Sequence, residues 1–106
     1  MKFATIDTQK VKDKKSLHQE FKNVLGFPDF YGMNWDAWID CMGDIGGGML
    51  SPEFNTNEPL CVELLQTEDF NKRLPDLMKH LIECTSLVNK HFIQAKVGKY
   101  FVLKFL

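Results

Sequence analysis

Three aspartates recur every fourth residue in the tryptophan-containing stretch NWDAWIDCMGDI: Asp36, Asp40 and Asp44. If residues 35–45 form an α-helix, side chains four residues apart lie on the same side, so these carboxylates form a row. Like charges at this spacing destabilise a helix by roughly 0.2–0.5 kcal/mol per pair. The helix dipole offsets this only for Asp36, which lies in the first turn. The row is therefore either a solvated acidic face or a site that meets a cationic partner.

The acidic row lies in a segment that contains no basic residue. Between Lys22 and Lys72 there is no Lys, Arg or His, although residues 23–71 hold nine of the fourteen Asp and Glu residues. Protein surfaces usually mix the two signs, because mixing reduces self-repulsion. A concentrated acidic surface repels phosphate, so the pattern disfavours nucleic acid as the partner. It favours a basic protein surface, a metal ion or the phosphate-binding site of an enzyme that acts on nucleic acid.

A metal site is the second interpretation of the pair. Asp36 and Asp40 could bind Mg²⁺ in a metal-dependent enzyme, but such a site needs further ligands or a nearby cationic clamp, and the surrounding segment has no basic residue. His80 and Cys84, four residues apart, could form half of a zinc site, but a second pair is missing. The glycines at 46–48 lack the Lys-Ser/Thr of a phosphate-binding loop. We therefore expect no cofactor, no metal and no catalysis.

Hydrophobic periodicity and cap signals predict the elements that position the row. Asn34 is a favourable N-cap for the helix over 35–45, which the glycines at 46–48 end. Ser16 and Gln19 have the spacing of a capping box for a helix over 16–25. Pro75 can open the last helix as its first residue. The predicted strands are 2–7, 60–65 and 100–106, the predicted helices are 16–25, 35–45, 67–74 and 75–94, and residues 46–59 are a mobile loop.

This order of elements, β–α–α–β–α–α–β, predicts a small α/β fold with a three-stranded parallel sheet. The chain has 106 residues, of which 44% are hydrophobic and 25% are charged, and its net charge is −1. These values are typical of one globular domain, here residues 1–106. Cys41, Cys61 and Cys84 are odd in number and widely spaced, which favours buried free thiols over disulfides. We found no apolar run of about 18 residues, so we expect a soluble cytoplasmic protein without a membrane partner.

Residues 16–42, SLHQEFKNVLGFPDFYGMNWDAWIDCM, resemble the barstar family of intracellular inhibitors of the ribonuclease barnase. The resemblance is carried by Leu-His-Gln, by Pro-Asp-Phe-Tyr-Gly, and by Asn, Asp-Ala and Asp-Cys, whose spacing contains no gap. It implies a barstar-like fold and an immunity protein, monomeric when free, whose acidic helix and preceding loop occlude the active site of a secreted or toxin ribonuclease.

The resemblance also implies which residues meet the partner. Asp40 matches the central carboxylate that imitates a phosphate, Asp36 matches the second one, and Phe30 matches a contacting aromatic residue. Departures from the family pattern include Ile39 and Ile45 at positions of aromatic residues, which leave the identity of the partner open. An alternative is a regulatory module that binds a basic protein other than a nuclease. The expected partner-binding residues are Asp36, Asp40, Phe30, Tyr31, Gly32, Asn34, Ile39, Asp44 and Asp76.

Overall fold

A computed structural model describes residues 1–54 and 58–106 and confirms the predicted order of elements. The strands are β1 (Lys2–Asp7), β2 (Leu60–Leu65) and β3 (Phe101–Phe105), and the α-helices are α1 (Lys14–Leu25), α2 (Trp35–Met42), α3 (Thr67–Arg73) and α4 (Pro75–Ala95). Short 3-10 turns cover Thr8–Lys10 and Pro52–Phe54. Of the predicted loop, residues 55–57 lie outside the described residues.

The three strands form one parallel sheet in the order β1-β2-β3, as predicted. The register places Phe3, Cys61 and Val102 side by side across the sheet. Because side chains alternate along a strand, the neighbouring Ala4 and Val62 point to the opposite face, where they are buried in the core. The central strand β2 is largely buried, which explains its nearly continuous apolar sequence.

Helix α1 begins two residues earlier than the sequence predicted. Asp13 is its N-cap and accepts a hydrogen bond from the backbone N–H of Ser16, while Ser16 Oγ accepts from the Asp13 backbone N–H. The predicted capping box of Ser16 with Gln19 is therefore wrong: Ser16 is the distal member of the box. The helix ends at Gly26, where a Cβ would lie 2.6 Å from Ser51 Cβ and φ is +70°.

Helix α2 is shorter than predicted, ending at Met42 rather than near residue 45. The backbone tightens after Met42, since the N–H of Asp44 bonds to the carbonyl of Cys41. The Asp44 carboxylate accepts from the backbone N–H of Met49 at 3.1 Å, which competes with a helical conformation. Lys99 donates to the carbonyl of Ile45 at 2.9 Å and ties this turn to the segment before β3.

The C-terminal half agrees closely with the prediction. Pro75 occupies the first turn of α4, and the predicted apolar stripe of that helix is buried: Leu77, Leu81, Cys84, Val88 and Phe92. Helix α4 packs against α2, α3 and β3, so it supports the helix that carries the aspartates. The three cysteines are unpaired and buried, as predicted. Within residues 1–54 and 58–106, no helix is long and apolar enough to cross a membrane.

Candidate protein-binding surface

The start of α2 is fixed by Asn34, as the sequence predicted. Its side-chain oxygen accepts a hydrogen bond from the Ala37 backbone N–H at 2.8 Å, and its amide donates to the Gly32 carbonyl at 3.2 Å. The second bond ties the loop before the helix to the cap. Asn34 therefore sets the direction of α2 and places Asp36 in its first turn, where the helix dipole stabilises a carboxylate.

Helix α2 divides into a core face and an exposed acidic face. Trp38 is fully buried, with its ring edge-on to Phe21 at 5.6 Å and to Phe101 at 5.9 Å between centroids. Asp36 and Asp40 are exposed on the other side. The buried tryptophan anchors the helix to α1 and the sheet, so the carboxylates project from a rigid support.

The loop before α2 is held from beneath by a buried pair. The Tyr31 hydroxyl and His18 Nδ1 of α1 are hydrogen-bonded at 2.5 Å, and the Tyr31 ring packs on Phe27 at 4.7 Å between centroids. Burial lowers the pKa of His18 to about 4 and raises the pKa of Tyr31, so both groups are neutral near pH 7. With Tyr31 turned inward, the neighbouring Phe30 is left outside and is 77% exposed.

The nine acidic residues of 23–71 differ in whether a cation lies beside them. Four have ion-pair partners in the described structure: Glu58, Glu63, Glu68 and Asp69. The described residues offer no ion-pair partner to the other five: Asp29, Asp36, Asp40, Asp44 and Glu53. The unpaired carboxylates include both that project from α2, so the charge segregation of the sequence becomes an uncompensated acidic surface there.

The acidic surface extends toward α4. Burial raises the pKa of the Cys84 thiol on α4, and the charges of Glu83 and then Asp36 add to the effect. Asp40 and Asp44 likewise add to the effect of burial in raising the pKa of Cys41 to about 11. A groove lies between α2 and α4, lined by Ile39, Asp40, Gly43, Asp44, Val88 and His91.

The predicted partner-binding residues lie on α2, in the loop before it, in the turn after it and, for Asp76, on α4. Asp44 is not part of a helical row with Asp36 and Asp40, because it lies in the turn after α2, half-buried, with one oxygen on the Met49 N–H. Tyr31 is buried and supports the loop instead of facing outward. Asp76 lies apart in the first turn of α4, in a hollow that Lys14, Arg73 and His80 also line.

Two parts of the region had no clear signal in the sequence. His18 supports the loop before α2 from helix α1, thirteen residues before its hydrogen-bond partner Tyr31. Val88 and His91 complete the groove from a helix distant in sequence. Across 1–54 and 58–106, no group of three or more His, Cys, Asp or Glu side chains is placed to hold a metal ion.

An α/β fold with unpaired carboxylates on one helix and an exposed aromatic ring in the preceding loop is compatible with a protein-binding module. The sequence pattern of the family described as "Barstar (barnase inhibitor)" matches residues 1–104, and this chain belongs to the barstar family. A Bacillus subtilis (strain 168) protein named "Putative ribonuclease inhibitor YrdF" is 40% identical over 42 residues, which is 40% of this chain and 46% of that relative. The match therefore spans less than half the length of that relative.

Proposed function

We propose that this protein inhibits a bacterial ribonuclease by covering its active site with α2 and the loop before it. The observation that carries the proposal is the pair of exposed carboxylates on α2, Asp36 and Asp40, which have no ion-pair partner within the described residues; the loop before α2 also carries the exposed ring of Phe30. The family description and the name of the Bacillus subtilis relative support a ribonuclease as the target.

Charge imitation is the mechanism. A ribonuclease binds the phosphates of RNA with cationic side chains, and carboxylates held at a similar spacing can take the places of those phosphates. Asp40 is the central carboxylate in this arrangement and Asp36 the second. Charge-assisted hydrogen bonds to several cationic donors offset the loss of water from each carboxylate when the complex forms. RNA is then excluded from the active site.

Rigidity of the surface favours tight binding. The Asn34 cap, the buried Trp38 and the His18–Tyr31 hydrogen bond each restrain α2 or the loop before it. A surface ordered before binding loses little conformational entropy in the complex. The exposed ring of Phe30 adds apolar contact area beside the charged centre, an arrangement typical of interface hot spots.

The proposed partner is a basic, secreted or toxin ribonuclease, met inside the producing cell by a monomeric inhibitor. Unpaired acidic charge on one face attracts such a partner over distances comparable to the Debye length, about 8 Å at physiological ionic strength. Association should therefore slow steeply as salt is added. An association rate that is flat across ionic strength would argue against this electrostatic attraction.

The test is a ribonuclease inhibition titration with barnase and other secreted bacterial ribonucleases, using the full chain. We expect stoichiometric inhibition of at least one enzyme, lost in Asp40→Ala and weakened in Asp36→Ala. Asp69→Ala is the matched control, since Asp69 is also exposed but lies on α3. If both α2 variants bind their partner as the parent does, the proposal is wrong; binding only to a basic protein without nuclease activity would favour a regulatory module.

A further inference from the structure

The outer edge of β1, at one side of the three-stranded sheet, has unpaired backbone groups. The backbone N–H of Lys2 donates to the carbonyl of Pro59 at 2.9 Å, so the even-numbered residues of β1 bond to β2. By the alternation of a parallel ladder, Phe3 and Thr5 direct their N–H and C=O groups to the outer side of β1. Within residues 1–54 and 58–106, these groups have no hydrogen-bond partner. The edge therefore presents a row of free donors and acceptors.

The opposite edge of the sheet, on β3, is closed at its start by a side chain. The N–H of Leu60 donates to the carbonyl of Tyr100 at 3.3 Å, so Phe101 directs its backbone groups away from β2. Asn89 of α4 bonds to both of them: its amide donates to the Phe101 carbonyl at 2.7 Å, and its oxygen accepts from the Phe101 N–H at 3.0 Å. An amide side chain thus takes the place of a neighbouring strand at β3, and the described residues supply no such group at the outer edge of β1.

The sequence of β1 lacks the features that prevent another strand from pairing at an exposed edge. Natural proteins protect such edges with proline, bulges, charged side chains or very short strands. Residues 3–6, Phe-Ala-Thr-Ile, contain no charge and no proline, and the register with β2 runs unbroken from Lys2 to Asp7. The ring of Phe3 is 56% exposed and Thr5 is also exposed, so side chains of an added strand can pack beside them.

We propose that the outer edge of β1 binds an extended segment of a partner protein as a fourth strand of the sheet. Phe3 and Thr5 each exchange a reciprocal pair of N–H···O bonds with the residue directly opposite, as in an antiparallel ladder. The inference depends on the sheet and not on the proposed inhibition of a ribonuclease, because no residue of α2 or of the loop before it takes part.

The two ends of β1 determine the charge and the direction of the segment. Lys2 begins the strand, where its ammonium makes a long ion pair with Glu58 at 4.0 Å. Asp7 ends the strand and has no ion-pair partner in the described part of the chain. An antiparallel segment that begins with a cation and ends with an anion brings opposite charges together at both ends. Between them, β-branched residues beside Phe3 and Thr5 favour the extended conformation.

The capped peptide acetyl-Lys-Val-Thr-Val-Val-Glu-amide has this pattern and serves as the probe. In an NMR titration of the full chain, we expect saturable shifts centred on the Phe3 and Thr5 amide signals. Methylation of the peptide nitrogen at its third or fifth residue, which face β1, should weaken binding at least about tenfold, because a hydrogen bond is lost. Methylation at the fourth residue, which faces away, should change binding by less than about twofold. Equal losses at the two kinds of position, or the absence of saturable shifts, would overturn the inference.

Exchanging the peptide's Lys and Glu tests the direction of the added strand. The exchanged peptide places like charges at both ends of β1, so we expect it to bind about threefold more weakly at low salt. Equal or tighter binding of the exchanged peptide contradicts the antiparallel orientation.

Substitutions at residue 5 test the same edge from the side of the protein. Thr5→Pro removes an N–H that β1 does not use in its own ladder, and proline is tolerated on an edge strand in that orientation. We expect Thr5→Pro to abolish saturable peptide binding, whereas Thr5→Ala, which keeps the N–H, should bind within about twofold of the parent. Phe105→Pro is the matched control, because by the same alternation its N–H faces the outer edge of β3. If Thr5→Pro binds the peptide as the parent does, the inference fails.

Two further measurements identify the occupant and keep the two proposals apart. If analytical ultracentrifugation shows a dimer of the free chain that Thr5→Pro dissociates, the occupant is a second copy and the partner segment is ruled out. A proline variant whose circular dichroism differs from that of the parent is set aside, and the methylated peptides decide on the unaltered chain. Thr5→Pro should inhibit the ribonuclease as the parent does. Peptide binding is measured without any nuclease, so either proposal can fail while the other stands.

Discussion

Helices α2 and α3 are nearly the same length and both carry acidic residues, but they differ in the residues placed four positions after those acids. In α3, Glu68 and Asp69 each have a base at that spacing, and ion pairs form with Lys72 at 3.4 Å and Arg73 at 2.7 Å. In α2, the residue four positions after Asp36 is another acid, Asp40. One helix neutralises its own charge, whereas the carboxylates of the other have no ion-pair partner within the described residues.

The two helices also differ in how they are anchored. Helix α2 buries Trp38, Cys41 and Met42, so apolar packing holds it firmly while its charges remain free. Helix α3 buries Phe70 and relies in addition on polar contacts of Arg73. A helix whose charged groups are used for anchoring cannot also offer them to another molecule. The two helices therefore differ in whether their charged groups are available to another molecule, and this difference can be tested residue by residue.

The largest expected effect is on binding. Asp40→Ala should weaken the complex with the target ribonuclease by at least 100-fold, roughly 3 kcal/mol, because a central carboxylate facing several cations behaves as a hot spot. Asp69→Ala on α3 should change affinity by less than about twofold, as for a charge whose partner lies within its own helix. Isothermal titration calorimetry measures both. Comparable losses from the two variants would remove the distinction between the helices.

Acid should destabilise the packing of His18 and Tyr31 beneath the loop before α2 at a higher pH than it destabilises α3. His18 has a folded-state pKa of about 4, below its ordinary value of 6.5, so the unfolded state binds its proton first as pH falls. Stability is full above pH 6.5, and this residue should remove about 2 kcal/mol of it between pH 6.5 and pH 5.

Urea denaturation at pH 7 and pH 5 measures this loss, with His18→Gln as the comparison because it has no titratable group at that position. We expect a much smaller difference between the two pH values in the variant. Amide hydrogen exchange should show faster opening in the loop around Tyr31 than in α3 at pH 5. An equally large loss of stability in His18→Gln would assign the effect to other groups.

The next largest effect is expected from removing the contacts that anchor α3, and it should lower stability without changing ribonuclease binding. Arg73 donates to the carbonyls of Val11 at 2.9 Å and Thr8 at 3.0 Å, which ties the end of α3 to the 3-10 turn after β1. Arg73→Met should lower the free energy of unfolding by about 1.5 kcal/mol, because these bonds to a charged donor are lost. Lys72→Met, which removes only an exposed ion pair, should cost less than about 0.5 kcal/mol.

Thermal and urea unfolding of these two variants, with a binding titration on each, complete this test. Both should bind the ribonuclease as tightly as the parent does. A binding defect in Arg73→Met at a temperature where the variant is folded would mean that α3 contributes to the interface.

Local signals explain how much of this contrast could be predicted from the sequence. The cap at Asn34, the apolar stripe of α4 and the strand β2 each depend on residues close in the chain, and each was predicted correctly. The ion pairs of α3 are likewise implied by i, i+4 spacing. At the first helix the predicted box was Ser16 with Gln19, whereas the structure has Asp13 with Ser16 at the same spacing of three residues.

Contacts between distant segments account for what the sequence did not show. The early end of α2 coincides with the Asp44 contact to Met49 and the Lys99 contact to Ile45, neither of which has a periodic signal. The groove beside Asp40 requires His91, fifty-one residues away, and only the packing of α4 on α2 brings it there. The sequence thus predicted which acidic residues lie on a helix better than it predicted which distant residues lie beside them.

The smallest effect is the most direct comparison of the two helices. Asp40→Asn removes the repulsion with Asp36 and should stabilise the free protein by roughly 0.3 kcal/mol. Asp69→Asn removes a favourable pair with Arg73 and a charge in the first turn of α3, so it should destabilise by about 0.5 kcal/mol. Aspartate and asparagine have similar helix propensities, so the difference reports charge alone.

Opposite signs are the expected result in urea denaturation at low salt, and both changes should shrink toward zero in 1 M NaCl, where the Debye length is about 3 Å. If Asp40→Asn destabilises the protein, the Asp40 carboxylate has a stabilising partner in the free protein. Its charge would then not be available for binding another protein. The sign of this small change therefore decides whether the acidic face of α2 lowers the stability of its own fold, as expected of a surface kept for another protein's cations.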